Sequence, residues 1–194
     1  MLAEPVEHRH FNAAKFAAPK TGVSLSMEVA ASKPTGTIAL TGARILTMTG
    51  DGAGAIDDGM IVIRGDRIVA VGPRASVQIP AGAKTVDMTG KTIMPGLVDA
   101  HAHGPQGEDE VVPQQNWSTI VNLALGTTTI HDPSARASEI FTASERQRAG
   151  GFLAPRIFST AEIVYGAKAP EVYAEINSLD DALSHISRIK AEGG

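Results

Sequence analysis

The chain has 194 residues, 43% of them hydrophobic, with 17 basic against 21 acidic side chains and a formal net charge of −4. That apolar content supports one sizeable domain or two small ones and excludes disorder as the default, while the near-balanced charge excludes a nucleic-acid footprint. The lack of cysteine excludes disulfides, thiolate nucleophiles and cysteine-held zinc, and no apolar run approaches the ~20 residues of a membrane span.

Residues 1–36 mix Ala, Pro, Lys and Ser without periodicity and read as an amino-terminal arm. Glu4 and Glu7 interrupt the apolar core that a secretory signal needs, so a soluble protein of cytoplasm or periplasm is expected. His8-Arg9-His10 lies in this unpatterned stretch and reads as solvated; Ser24 to Val29 alternates loosely and could form an extended edge segment. From Thr37 the texture changes. Ile38–Leu40 and Arg44–Met48 predict strand, broken at Thr41-Gly42, before a glycine-rich turn at Gly50 to Gly54. Met60–Ile63 and Arg67–Val71 flank Arg64-Gly65-Asp66, a hairpin signal; Lys84–Met88 and Lys91–Met94 flank Thr89-Gly90 in the same way. Short strands this closely spaced predict a compact antiparallel sheet or sandwich over residues 37–94. Its charges, Asp57, Asp58, Arg64, Asp66 and Arg67, fall at turns and are expected to be solvated.

The stretch Thr92-Ile-Met-Pro-Gly-Leu-Val-Asp-Ala-His-Ala-His-Gly104 carries the chemistry. Ile93 to Val98 reads as a strand buried on both faces. If the strand runs from Leu97 to His103, alternation puts Asp99, His101 and His103 on one face. Imidazoles two residues apart sit about 6.5 Å apart at Cα and can lean over one metal ion. Asp99, one step earlier, can support the ligands or pair with a cation. Taken alone, such a pair is more often two polar residues facing water at a strand end; its place at the carboxyl end of an apolar strand raises the metal reading.

Gly104 to Glu110 is a loop whose three adjacent acids suit a soluble tip better than a lid. Pro113 to Leu125 predicts a helix stopped by Gly126, with Trp117 packed in the core. Thr127 to His131 predicts a strand; His131 at its end could contact substrate or be structural, and Asp132 could cap the next loop or helix. Arg136 to Ala149 predicts a helix ended by Gly150-Gly151, Ala154 to Ser159 a third strand, and Glu162 to Ala169 a loop with Tyr165 and Lys168 near the same rim. Leu179 to Ala191 predicts a helix capped by Ser178 and stopped by Gly193; its His185 reads as structural. Strand and helix thus alternate three times, the pattern of parallel strands with covering helices.

Pro95-Gly-Leu-Val-Asp-Ala-His-Ala-His103 resembles the first barrel strand of the amidohydrolase superfamily of metal-dependent hydrolases, in its imidazolonepropionase and prolidase-like branch. Gly126 to Asp132 is similar to its second barrel strand, and residues 37–94 to its small β-domain. The resemblance implies an α/β fold: a small β-sandwich-like domain at 37–94, then at 95–194 the first three βα units of a (β/α)8 TIM barrel. A complete barrel takes about 250 residues, so the barrel in this chain is incomplete. The resemblance implies His101 and His103 as metal ligands, with Asp99 and His131 as supporting or substrate-side candidates. The family's remaining ligands, a lysine or glutamate, two histidines and a proton-handling aspartate, come from later strands, so no catalytic residue is expected in this segment.

The implied cofactor is one or two divalent ions, zinc first, with Fe, Mn, Co or Ni open to histidine ligands. The implied activity is hydrolysis of a carbon–nitrogen bond (amide, peptide or cyclic amide) in a small-molecule substrate, the fragment alone being inactive. The expected partners are the rest of the same protein or a second chain completing the barrel, and further copies in a homo-oligomer. Some similar proteins carry a β-propeller before this segment. A catalytically inactive scaffold or assembly protein, and a β-domain binding module acting alone, are the alternatives.

Overall fold

A computed structural model describes residues 30–50, 54–104, 106–107, 111–165 and 173–194. His8 to His10, the Ser24 to Val29 segment, the centre of the Gly50 to Gly54 turn, the three loop acids and Lys168 lie outside the described residues.

The first sheet is built on β1 (Thr37–Leu46), whose alternating pattern buries Ala39, Thr41, Ala43 and Ile45. β1 pairs antiparallel with β2 (Ala55–Arg64), which pairs antiparallel with β3 (Arg67–Pro73). The β2–β3 hairpin turns on two residues, and Gly65 at the first of them has φ +57°, the position where a II′ turn requires glycine. The expected hairpin around Thr89-Gly90 does not form. β4 (Lys84–Asp87) and β5 (Thr92–Ile93) instead both lie parallel to β1, against its first and second halves. These strands form a single mixed sheet in the order β3-β2-β1-β4, with β5 also on β1. The expected antiparallel arrangement is therefore corrected to a mixed one.

The reason lies in β1. Gly42, at φ +81°, makes a bulge, and the register with β2 shifts on either side of Ala43. One extra residue reverses the facing of every later side chain. Ala39 accordingly packs with Met60 and Val62, whereas Ala43 and Ile45 pack with Ile61 and Leu40 on the other face. Opposite this bulge, the chain between β4 and β5 makes a turn held by Asp87. Its Oδ1 accepts from the Thr89 hydroxyl (2.6 Å) and the Thr89 amide (2.9 Å). Those two bonds, the hydroxyl first, hold the exposed Asp87 carboxyl below its ordinary pKa. A Cβ on Gly42 would lie 2.7 Å from the Thr89 hydroxyl oxygen, in a left-handed conformation costly for any side chain. Gly42→Ala is expected to destabilise the protein by about 1–2 kcal/mol, read as a lower urea midpoint with unchanged slope. Arg44–Asp57, Arg67–Asp66 and Arg74–Asp58 are exposed pairs of 3.6–3.9 Å, with Asp57 and Asp58 inside β2 rather than in a turn.

The second sheet is parallel, in the order β6-β7-β8: β6 (Leu97–Asp99), β7 (Thr127–Asp132) and β8 (Arg156–Ser159). α1 (Trp117–Ala124) connects β6 to β7, and α2 (Ala137–Ala149) connects β7 to β8. Beyond β8 come a parallel pair, β9 (Ile163–Tyr165) and β10 (Tyr173–Glu175), where loop is expected, and α3 (Leu179–Glu192). Ile130 and Ile157 on the sheet meet Ile140 and Ala143 on α2, with Phe152 and Ala154 closing the cluster. Ser144 inside this layer donates to the Ile157 carbonyl at 2.8 Å. α3 packs through Ile189 on Ala137 and Ala161.

α1 starts later than expected. Arg146 donates to the carbonyls of Val112 and Pro113 (3.1 and 3.0 Å), and the Gln115 amide pairs with the backbone of Leu153 (2.8 and 3.1 Å). These tertiary bonds occupy the segment where Pro113 would begin a helix, and Asn116, accepting from Ser118 N at 2.9 Å, becomes the N-cap. α2 has no side-chain cap of its own. Its first amide, on Ala137, donates to Glu162 Oε1 at 3.2 Å, and Arg188 on α3 holds the other oxygen of Glu162 at 3.2 Å. Arg188 also pairs with Glu192 at 2.9 Å; the two carboxylates, Glu192 foremost, raise the guanidinium's pKa further.

Two burial expectations are corrected. The Ile93 to Val98 run is not covered on both faces: Met94, Leu97 and Val98 are 52–65% exposed, and none of them joins an apolar cluster among the described residues. Trp117 is 75% exposed rather than in the core. Among the described residues, no helix is long and apolar enough to cross a membrane.

Candidate metal centre

β6 is shorter than expected and stops at Asp99. Asp99 is the cause. Its Oδ1 accepts the amide of His101 at 3.0 Å, an Asx-type turn that lifts Ala100 and His101 out of the strand. The chain rejoins β7 one residue later, where Ala102 N donates to the His131 carbonyl at 3.0 Å. The carboxylate of Asp99 is therefore committed to the backbone between the strand and the two histidines.

The turn leaves the imidazoles together. The His101 and His103 rings have centroids 4.8 Å apart at an interplanar angle of 72°, edge to face. Both residues are exposed at the carboxyl end of the parallel sheet. Two imidazoles bound at about 2.1 Å to one tetrahedral ion would hold their ring centres about 5 Å apart, so the observed spacing fits a shared ion.

Behind the pair lies Asp132, the last residue of β7. Its Oδ1 is 3.2 Å from His103 Nδ1, and its side chain is 3% exposed against 54% for His103. The same oxygen accepts Ser134 N at 2.9 Å. Sequence reasoning gave Asp132 only a capping role; its placement at the strand end next to the candidate rim was the available signal. His131 sits in register with Phe158 of β8, and alternation along β7 turns it to the face opposite Asp132 and Ile130. The structure thus brings His101, His103 and Asp132 together, but sends His131 to the other face. His185 is half-buried on α3.

A cavity of about 380 Å³ adjoins His103 and Asp132, lined also by Gln106, Ser134, Glu139 and Ile140. Gln106 is buried, and its Oε1 has no hydrogen-bond partner among the described residues. Nothing in the sequence marked Gln106. Among the described residues no cluster of three or more His, Asp or Glu side chains surrounds one point.

No family model matches the chain. A 63-residue stretch, 32% of the chain, is 43% identical to imidazolonepropionase of Sphingopyxis alaskensis and spans 15% of that protein. A 66-residue stretch, 34% of the chain, is 36% identical to 5-methylthioadenosine/S-adenosylhomocysteine deaminase of Symbiobacterium thermophilum and spans 15% of that protein. Among solved structures, a Bifidobacterium longum protein assigned as a prolidase superposes with a TM-score of 0.61 at 27% identity, over 81% of this chain and 39% of that one. The chain is related to the amidohydrolase superfamily. Its fold is the mixed α/β kind of amidohydrolase structures, with two principal sheets and, among the described residues, three helices. The match covers less than half the length of these amidohydrolases.

Proposed function

We propose that the chain is the amino-terminal part of a metal-dependent amidohydrolase that cleaves a carbon–nitrogen bond in a small amide, dipeptide or cyclic amide. On this reading residues 37–94 are the small β-domain. Residues 95–194 are the first three βα units of a (β/α)8 barrel, completed by further polypeptide or by a second chain. The observation that carries it is the His101–His103 pair, 4.8 Å apart at the carboxyl ends of parallel strands. That is the end at which such barrels place their sites. The exposed apolar residues Leu97, Val98 and Phe158 fit a sheet awaiting further strands.

A divalent ion, when bound, supplies Lewis acidity at a carbonyl and lowers the pKa of water beside it. His101 and His103 would hold it, zinc first by chemistry and Fe, Mn, Co or Ni by ligand type. The residues of this chain fix one side of the site; the proton-handling group belongs to later strands. Metal analysis of the purified protein, with hydrolysis assays on dipeptides and cyclic amides, tests the reading. About one zinc or more per chain, and hydrolysis lost on chelation, are expected. A protein that binds no divalent metal and hydrolyses none of these substrates would instead be a scaffold.

A further inference from the structure

We propose that Asp132 is a positioning residue that fixes His103 in the Nδ1–H tautomer and so reserves its Nε2 for a divalent ion. The inference rests on the metal-binding reading above.

A neutral imidazole carries one N–H and one lone pair. At His103, Nδ1 lies 3.2 Å from Asp132 Oδ1, a carboxylate that only accepts. A lone pair at Nδ1 would face that oxygen with nothing shared between them. The proton therefore belongs on Nδ1, and the remaining lone pair falls on Nε2.

Asp132 is suited to impose this choice because it is buried and held. Its backbone is in register with Ser159 of β8, its side chain is almost wholly buried, and its Oδ1 is also held by Ser134 N at 2.9 Å. The exposed partner is His103, 54% exposed on the chain beyond β6. A buried, braced carboxylate thus orients an exposed ring, the arrangement by which outer partners of metal-bound histidines set ring orientation and basicity. The turn after β7 does not by itself require the charge. One oxygen serves both Ser134 N and Nδ1, so Asp132→Asn can keep the turn and an acceptor behind Nδ1, whereas Asp132→Ala removes the acceptor.

Long-range 1H–15N correlation of the histidine rings at pH 8, with zinc titration of the full chain, separates the possibilities. Wild-type protein is expected to show His103 protonated at Nδ1. Asp132→Ala is expected to mix the tautomers and weaken zinc binding 10–100-fold, while His101 keeps its ring signals; Asp132→Asn is expected to keep the Nδ1–H tautomer. Equal zinc affinity in wild type and Asp132→Ala overturns the inference, as does Nε2–H at His103 in the wild type, which needs no variant to fold. If wild-type protein binds no zinc, the metal reading itself fails, and the inference with it.

Discussion

Replacing His101 and His103 together with alanine is expected to remove bound divalent metal without unfolding the protein. Both side chains stand at the exposed end of the parallel sheet, and neither belongs to an apolar cluster. Exposed substitutions of this kind alter stability by about 0.5 kcal/mol or less. The loss should fall instead on the ion. With both imidazoles gone, no other pair of histidines stands at this corner among the described residues, and the neighbouring acids are engaged. Asp99 is bonded to the His101 backbone and Asp132 to Ser134. Zinc content by elemental analysis should drop to background, and each single variant should bind at least tenfold more weakly than wild type. In a protein whose barrel is complete, hydrolysis should vanish in parallel. Wild-type zinc content in the double variant, with an unchanged unfolding midpoint, would place the metal elsewhere and remove the basis of the proposed function.

Ile140→Ala is expected to be among the most destabilising truncations in the second sheet. Ile140 is fully buried at the centre of the cluster formed by Ile130, Ala143, Phe152, Ala154 and Ile157. Removing its outer methyl and methylene groups costs about 2–5 kcal/mol, depending on how far the surroundings collapse into the gap. Collapse is limited here. Two of the neighbours are already alanine, and Ser144 is tied to the Ile157 carbonyl, which holds α2 at its distance from β8. Alanine's better helix propensity returns only a few tenths of a kcal/mol. Urea denaturation measures the difference, with Leu125→Ala as the control. Leu125 is 74% exposed at the end of α1 and should lose about 0.5 kcal/mol or less. A cost below about 1 kcal/mol for Ile140→Ala would mean that α2 does not form the tight layer seen in the structure.

Features that depend on near neighbours were legible from the residues alone. The β2–β3 hairpin follows from Gly65-Asp66 between two β-branched runs, and α3 runs from its Ser178 cap to Gly193 much as its pattern predicts. α2 ends at Gly150 in the left-handed conformation, as a glycine after a helical run suggests. The metal pair was legible for the same reason, because two histidines at i and i+2 leave the chain close together whatever the rest of the molecule does.

Features that depend on a choice among distant partners were not legible. Thr89-Gly90 carries a hairpin signal, yet β4 and β5 both pair with β1, because its Gly42 bulge accepts the Asp87–Thr89 turn between them. Pro113 carries a helix-start signal, yet Arg146 and Gln115 hold that segment by bonds to remote groups.

By itself the sequence determined the α/β alternation, the hairpin, the helix stops and the spacing that brings two imidazoles within reach of one ion. Only the tertiary structure decided that Asp132 of a neighbouring strand stands behind His103, that His131 faces away, and that Trp117 and Val98 remain uncovered. Local signals act through backbone torsions over a few residues. Facing, burial and side-chain partnership across strands are set by register, which one bulge or one buried hydrogen bond far along the chain can shift.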